Sequence, residues 1–167
     1  ARTFREAIAL RPDEPVAYYN LGAVLGNSGH DVEAAQRFLE AKERTSVGSE
    51  GWAQATPKAF NMLMQKECAE VAKPEWWNDE GLKALSARVV RAAPNDEAAN
   101  LMRAMVLRRD AAPGYGDGAW EAGPRSAAEL MEAAAHFDRA AALRDAPAAK
   151  AEFVRLAVLS RSEAEAM

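Results

Sequence analysis

Catalysis in this chain would have to draw on two histidines, His30 and His136, one cysteine, Cys68, and 25 carboxylates. A zinc site needs three or four converging nitrogen, sulfur or carboxylate ligands. His30 closes the turn Asn27-Ser28-Gly29-His30, and His136 stands beside Phe137 in a helical stretch. The sequence has no HExxH and no second cysteine to share a metal with Cys68. A lone cysteine cannot form an internal disulfide, and its place in the apolar run 60–72 reads as a buried structural thiol. Nothing like GxSxG marks an activated serine, and no GxxxxGKS or GxxxxGKT marks a phosphate-cradling loop. The stretch DAAPGYGDGAWE is acidic at its ends but sets few oxygen ligands at the alternate positions calcium requires. The carboxylates fall at helix starts and on charged faces, where they cap and solvate. The expectation is therefore no catalytic residue, no cofactor, no metal ligand and no enzyme activity.

Recognition by surface contact remains, and its chemistry depends on the helices that carry the contact residues. Residues 15–41 are the most informative. Tyr18, Leu21, Gly22 and Leu25 recur at helical spacing, and Gly22 is small enough to admit a second helix. Asn27-Ser28-Gly29-His30 interrupts the pattern, with Gly29 suited to the positive φ of a tight turn. Asp31 is predicted to cap a second helix whose stripe is Ala34, Phe38 and Ala41. Neither helix can bury its stripe alone, so the pair is a helical hairpin.

This hairpin resembles a tetratricopeptide (TPR) unit, whose period is 34 residues. Tyr18 stands where the motif usually has Trp, Leu21-Gly22 match its Leu-Gly, and Leu25 replaces the usual Tyr. Ala34, Phe38 and Ala41 match the second helix, and Ser46 replaces a common Pro. Phe4 and Ala7 lie 34 residues before Phe38 and Ala41, with Leu10 and Pro12 completing the end of such a helix. The chain thus reads as entering inside a repeat and as a fragment of a longer one. Ala133, Phe137 and Ala140 lie 99 residues after Ala34, Phe38 and Ala41, three short of three periods. The resemblance implies a right-handed all-α solenoid of helical hairpins that binds peptides or partner proteins and performs no chemistry. It also implies a groove lined by residues one step off the first-helix stripe. Those are Tyr19, Asn20, Ala23 and Asn27, with Asn61 and Gln65 as rough equivalents on the following helix. Some TPR proteins bind acidic C-terminal tails through an Asn at the place of Asn20. Lys58 and Lys66 are the nearest cations here, and one amide cannot neutralise two carboxylates.

The rest of the chain is read as one domain of seven or eight helices. Residues 1–12 form a partial repeat, followed by Pro12-Asp13-Glu14-Pro15 with Asp13 as cap, and 15–44 form the best unit. Thr45–Thr56 is predicted as a lengthened loop or a short extra turn, from which Trp52 either packs back over the helix ends or contacts a ligand. A divergent pair over 57–92 has Thr56 as cap, Pro57 at the first helical position and a helix to about Lys73. Asn78 caps its second helix, and of the adjacent Trp76 and Trp77 one should be core and the other partly exposed. A second divergent pair spans 97–143, where Asn100 and Arg103 replace an aromatic and Leu. Either the register slips to Leu101, Ala104 and Met105, or the unit is distorted. Residues 110–125 hold four glycines and two prolines and read as an insertion. In it Tyr115 and Trp120 either clasp the loop or form candidate partner contacts. Ser126–Glu129 is a capping box. The helix over 147–166, with Phe153, Leu156 and Leu159 on its apolar side, would cap the array.

Composition narrows the partners. Apolar residues make up 49% of the 167, and 28% are charged, which excludes a disordered acidic tail. A net charge of −4 argues against a broad nucleic-acid surface. No run of 18 apolar residues occurs, so no transmembrane span is expected; no signal peptide is visible, and a cytoplasmic location is slightly favoured. The functional expectation is a non-catalytic module binding a peptide or helical segment of a partner protein. The alternative is an accessory helical domain of a larger enzyme, positioning its catalytic part or substrate.

Overall fold

The computed structural model describes residues 2–108 and 120–167. Their helices are α1 (Arg2–Leu10), α2 (Pro15–Asn27), α3 (Asp31–Glu43), α4 (Glu50–Leu63), α5 (Asp79–Ala92), α6 (Glu97–Arg108), α7 (Ala127–Leu143) and α8 (Pro147–Glu165). A 3-10 turn, Lys66–Cys68, follows α4. The described residues contain no β-strand. The described residues are all-α, and within each compact unit helices consecutive in the chain pack on one another, as in helical-repeat proteins. The chain divides into two compact units, the first built on residues 2–73 and the second on 74–108 and 120–167. The helices expected to pair over 57–92 thus fall in different units, and α4 packs instead on α3.

In the first unit the hairpin of α2 and α3 closes as its stripes require. Leu21, Leu25, Ala34, Phe38 and Ala59 form a buried cluster, with Phe4 and Ile8 of α1 packed against it. A Cβ built at Gly22 would stand 3.1 Å from three ring carbons of Phe38. The missing side chain is thus what lets the ring lie against the α2 backbone. Gly29 takes φ 82° and turns the chain between the helices. Tyr18 is buried and its hydroxyl donates to the Pro12 carbonyl at 2.8 Å. Arg44 Nε donates to the same oxygen at 2.8 Å, and its guanidinium lies 4.3 Å above the Tyr18 ring. This cation–π contact ties the entry of α2 to the end of α3.

Several local expectations are corrected here. Asp13 and Asp31 do not cap. Glu14 precedes α2 without a side-chain cap bond, Pro15 opens that helix, and Asp31 is the first residue of α3 behind His30. Acidic Asp31 and Glu33 still lie in the first turn of α3, where the helix dipole favours negative charge. Helix α4 starts at Glu50 under the cap Ser49, whose Oγ accepts from Trp52 N at 3.2 Å. Thr56 and Pro57 lie inside it, not at its start. An interior proline costs about 3 kcal/mol, but fully burying each large side chain contributes about 1.5–3 kcal/mol. Trp52, Phe60 and Leu63, all within 2% of full burial, therefore outweigh it. The Thr56 hydroxyl donates to the Trp52 carbonyl at 2.7 Å. The helix ends at Leu63 and not near Lys73, and Cys68 is buried in the following 3-10 turn.

The second unit has stronger caps. Asn78 Oδ1 accepts from Gly81 N at 2.7 Å, Asp96 Oδ2 from Ala99 N at 2.9 Å, and Ser126 forms the full capping box with Glu129. Leu82 and Val89 of α5, Met102 and Val106 of α6, and Ala133 and Phe137 of α7 supply core. On α8 the buried line is Leu156, Ala157, Ser160 and Ala164, whereas Leu159 is exposed, so the predicted spacing was out of register there. The reason is Arg108 on α6, which donates to Ser160 Oγ at 3.0 Å and to both carboxylate oxygens of Glu163. A polar position faces inward because a buried guanidinium meets it. Of the adjacent tryptophans Trp77 is buried and Trp76 half-buried.

Candidate functional site

Five of the six expected groove residues lie on α2 and α4, and Gln65 follows α4; all are in the first unit. The two helices meet near their C-terminal ends, where Met62 Sδ lies 3.3 Å from a Cβ built at Gly26. The structure divides these residues by role. Tyr19 is half-buried, stacking edge-on against Phe38 with centroids 5.4 Å apart, and Ala23 also packs on the core cluster. They belong to the support of the surface. Asn20 is half-buried and Asn27 exposed, and neither side-chain amide is engaged by a described residue. They stand seven residues apart, two turns of one helix, and so share a face. Asn61 is half-buried, and its carbonyl accepts from Gln65 Nε2 at 3.2 Å. Of the two loop residues, Tyr115 lies outside the described residues. Trp120 is 6% exposed, packs edge-on against Trp77 at 6.0 Å and donates to Asp79 at 3.4 Å. Trp120 is therefore a clasp and not an exposed contact.

A second feature was not legible beforehand. In the second unit α5, α6 and α7 enclose an open cleft of about 290 Å³. Asn100, only 1% exposed, lies at its base. Its Nδ2 donates to the carbonyls of Pro94 (3.0 Å) and Asp96 (2.8 Å). Those oxygens can only accept, so the amide orientation is fixed and Oδ1 faces His136 Nδ1 at 2.9 Å. Nδ1 must then carry the proton, which leaves Nε2 as the ring's remaining acceptor. Burial above all pushes the His136 pKa below its ordinary 6.5, with Glu132 opposing and Arg103 and Arg139 assisting. That direction favours the neutral ring. Arg103 is fully oriented: it bonds the Lys83 carbonyl, Ser86 Oγ and Glu132. Arg139 gives one Nη1 bond to the Pro94 carbonyl at 3.1 Å, and Arg91 is exposed. The apparent repeat degeneracy at Asn100 and Arg103 is thus a polar network. Its one sequence signal is a polar pair on a helix where apolar residues were due.

Burial, then the charge of Asp31, raises the pKa of the Cys68 thiol, so little thiolate is present at neutral pH. Asp31 is itself raised by burial and by the neighbouring Glu67 carboxyl. Among the described residues no three His, Cys, Asp or Glu side chains converge as a metal set, and no helix is long and apolar enough to cross a membrane.

No protein-family model matches the chain, and no curated protein sequence matches it. What bears on function is therefore the surface chemistry just described.

Proposed function

We propose that the chain is a non-catalytic, TPR-like interaction module whose α2 face, edged by α4, binds an extended or helical segment of a partner protein. The observation that carries this reading is the pair of unengaged amides, Asn20 and Asn27, held on one face by a helix whose other side is locked into the core. An amide both donates and accepts, so two of them two turns apart can bond a peptide backbone without demanding charge. The rigid Tyr19–Phe38 stack beside them supplies apolar area at little entropic cost. Such a surface suits moderate, reversible recognition.

The test is capture of partners from native extract by the wild-type chain and by an Asn20→Ala/Asn27→Ala variant. Because these side chains are not core, the variant should unfold within about 0.5 kcal/mol of wild type. It should nevertheless lose the specifically captured proteins. A folded variant that captures the same proteins in the same yield refutes the α2 face as the recognition surface.

A further inference from the structure

The cleft of the second unit has a charge and a donor pattern that peptide-backbone recognition on α2 does not use. Its lining includes Arg91 from α5, Arg103 from α6, and Glu132, His136 and Arg139 from α7; α8 contributes none. Three arginines against one glutamate give a local charge of +2, in a chain whose formal net charge is −4. Arg103 is committed to Lys83, Ser86 and Glu132, so it contributes field but no free donor. Arg91 has no partner among the described residues, and Arg139 has engaged a single nitrogen. In the same lining His136 offers Nε2 as an acceptor, because Asn100 fixes the proton on Nδ1.

We propose that this cleft binds a phosphomonoester group, with Arg91 and Arg139 pairing its anionic oxygens and His136 Nε2 accepting the hydrogen bond from its protonated oxygen. A site with two available cations and one half-buried acceptor suits a ligand that combines negative charge with an O–H. A phosphomonoester carries about −1.5 to −2 charges at neutral pH, with a second pKa near 6. It therefore supplies the charge and, for part of its population, the proton. A carboxylate at neutral pH has one charge and no proton to give. Guanidinium groups also match phosphate oxygens in a bidentate fork. The ester's organic group would rest on the apolar side of the cleft, formed by Ala87, Val90 and Pro94. Whether the proton stays on the ligand or moves to Nε2, one proton is shared across that contact. Binding then raises the titration midpoint of His136.

The chain has two histidines, so ring C–H resonances followed by NMR over a pH series report this directly, with the exposed His30 as internal reference. The probes are inorganic phosphate, glycerol 2-phosphate and a phosphoserine-containing peptide, each against sodium chloride of equal ionic strength. The expected result is an upward shift of the His136 midpoint with phosphate and its esters, absent with chloride, while His30 is unmoved. An Arg91→Gln/Arg139→Gln variant should bind roughly tenfold more weakly or worse. Arg91→Gln alone, which removes no described contact, serves if the double variant is unstable. Tighter binding of the peptide than of glycerol 2-phosphate assigns a phosphorylated side chain as the source, and the reverse assigns a small metabolite. A His136 midpoint that phosphate moves no more than chloride does overturns the proposal. So does arginine-substituted protein that binds as wild type.

Discussion

Substituting leucine at Gly22 (Gly22→Leu) is expected to destabilise the first unit by about 3 kcal/mol, the upper end of the usual range for overpacking. The first carbon added already meets the Phe38 ring at 3.1 Å, closer than side chains normally approach. The three carbons beyond it have no space unless the ring leaves its place. Phe38 cannot leave cheaply, because it is 3% exposed, sits in the cluster with Leu21, Leu25 and Ala34, and carries Tyr19 on its edge. At about 2–4 °C per kcal/mol for a chain of this length, the thermal midpoint should fall by about 6–12 °C. Gly22→Ala should fall between wild type and leucine. A denaturation midpoint unchanged by leucine would show that α2 and α3 do not cross at Gly22. The effect also reaches function, since Asn20 and Asn27 are aimed by the helix that this crossing holds in place.

Asp79→Ala is expected to cost the second unit about 3 kcal/mol, the lower end for breaking a buried ion pair by removing one partner. Arg125 is 8% exposed at its side chain and donates to Asp79 with both terminal nitrogens, at 2.8 and 3.1 Å. Its remaining bonds, to the carbonyls of Val106 at 2.9 Å and Gly123 at 3.4 Å, would leave a nearly buried cation without its anion. Trp120 and Lys83 would lose the same acceptor. The hydrogen bond from Arg125 is the main reason the Asp79 carboxyl titrates at about 2 instead of 3.8. A carboxylate held below its unfolded value stabilises the fold above that value, and the contribution fades as pH falls through the folded one. The stability gap between wild type and Asp79→Ala should therefore be full at pH 5 and above, shrink from about pH 4 and be largely gone once pH is below about 2. Chemical denaturation at several pH values measures it. A gap that stays constant across that range would show that the pair is not what anchors the chain's return at residues 120–125.

The sequence alone determined the α2–α3 hairpin and the caps at Asn78 and Ser126, where local signals and packing agree. The α2–α3 hairpin follows from a stripe at helical spacing, a small residue at the crossing and a glycine able to take positive φ, and all of these act within about thirty residues. The caps at Asn78 and Ser126 were legible for the same reason: each joins a side chain to a backbone N–H three residues on. Tertiary packing decided the places where local preference lost. Thr56-Pro57 has the chemistry of a helix start, yet α4 begins at Glu50 because burying Trp52 and Phe60 together outweighs an interior proline. The α8 register follows an arginine 52 residues away on α6. Tyr19 and Asn20 are neighbours that were both expected in the groove, and only the position of Phe38 makes one a support and leaves the other's amide open. The cleft was the least legible of all. Its residues come from three helices, and what defines it is a buried amide whose two donors are fixed by backbone carbonyls, forcing a proton onto one nitrogen of a histidine 36 residues away. No spacing rule encodes that, because the information lies in which groups meet after folding and in which of them can only accept.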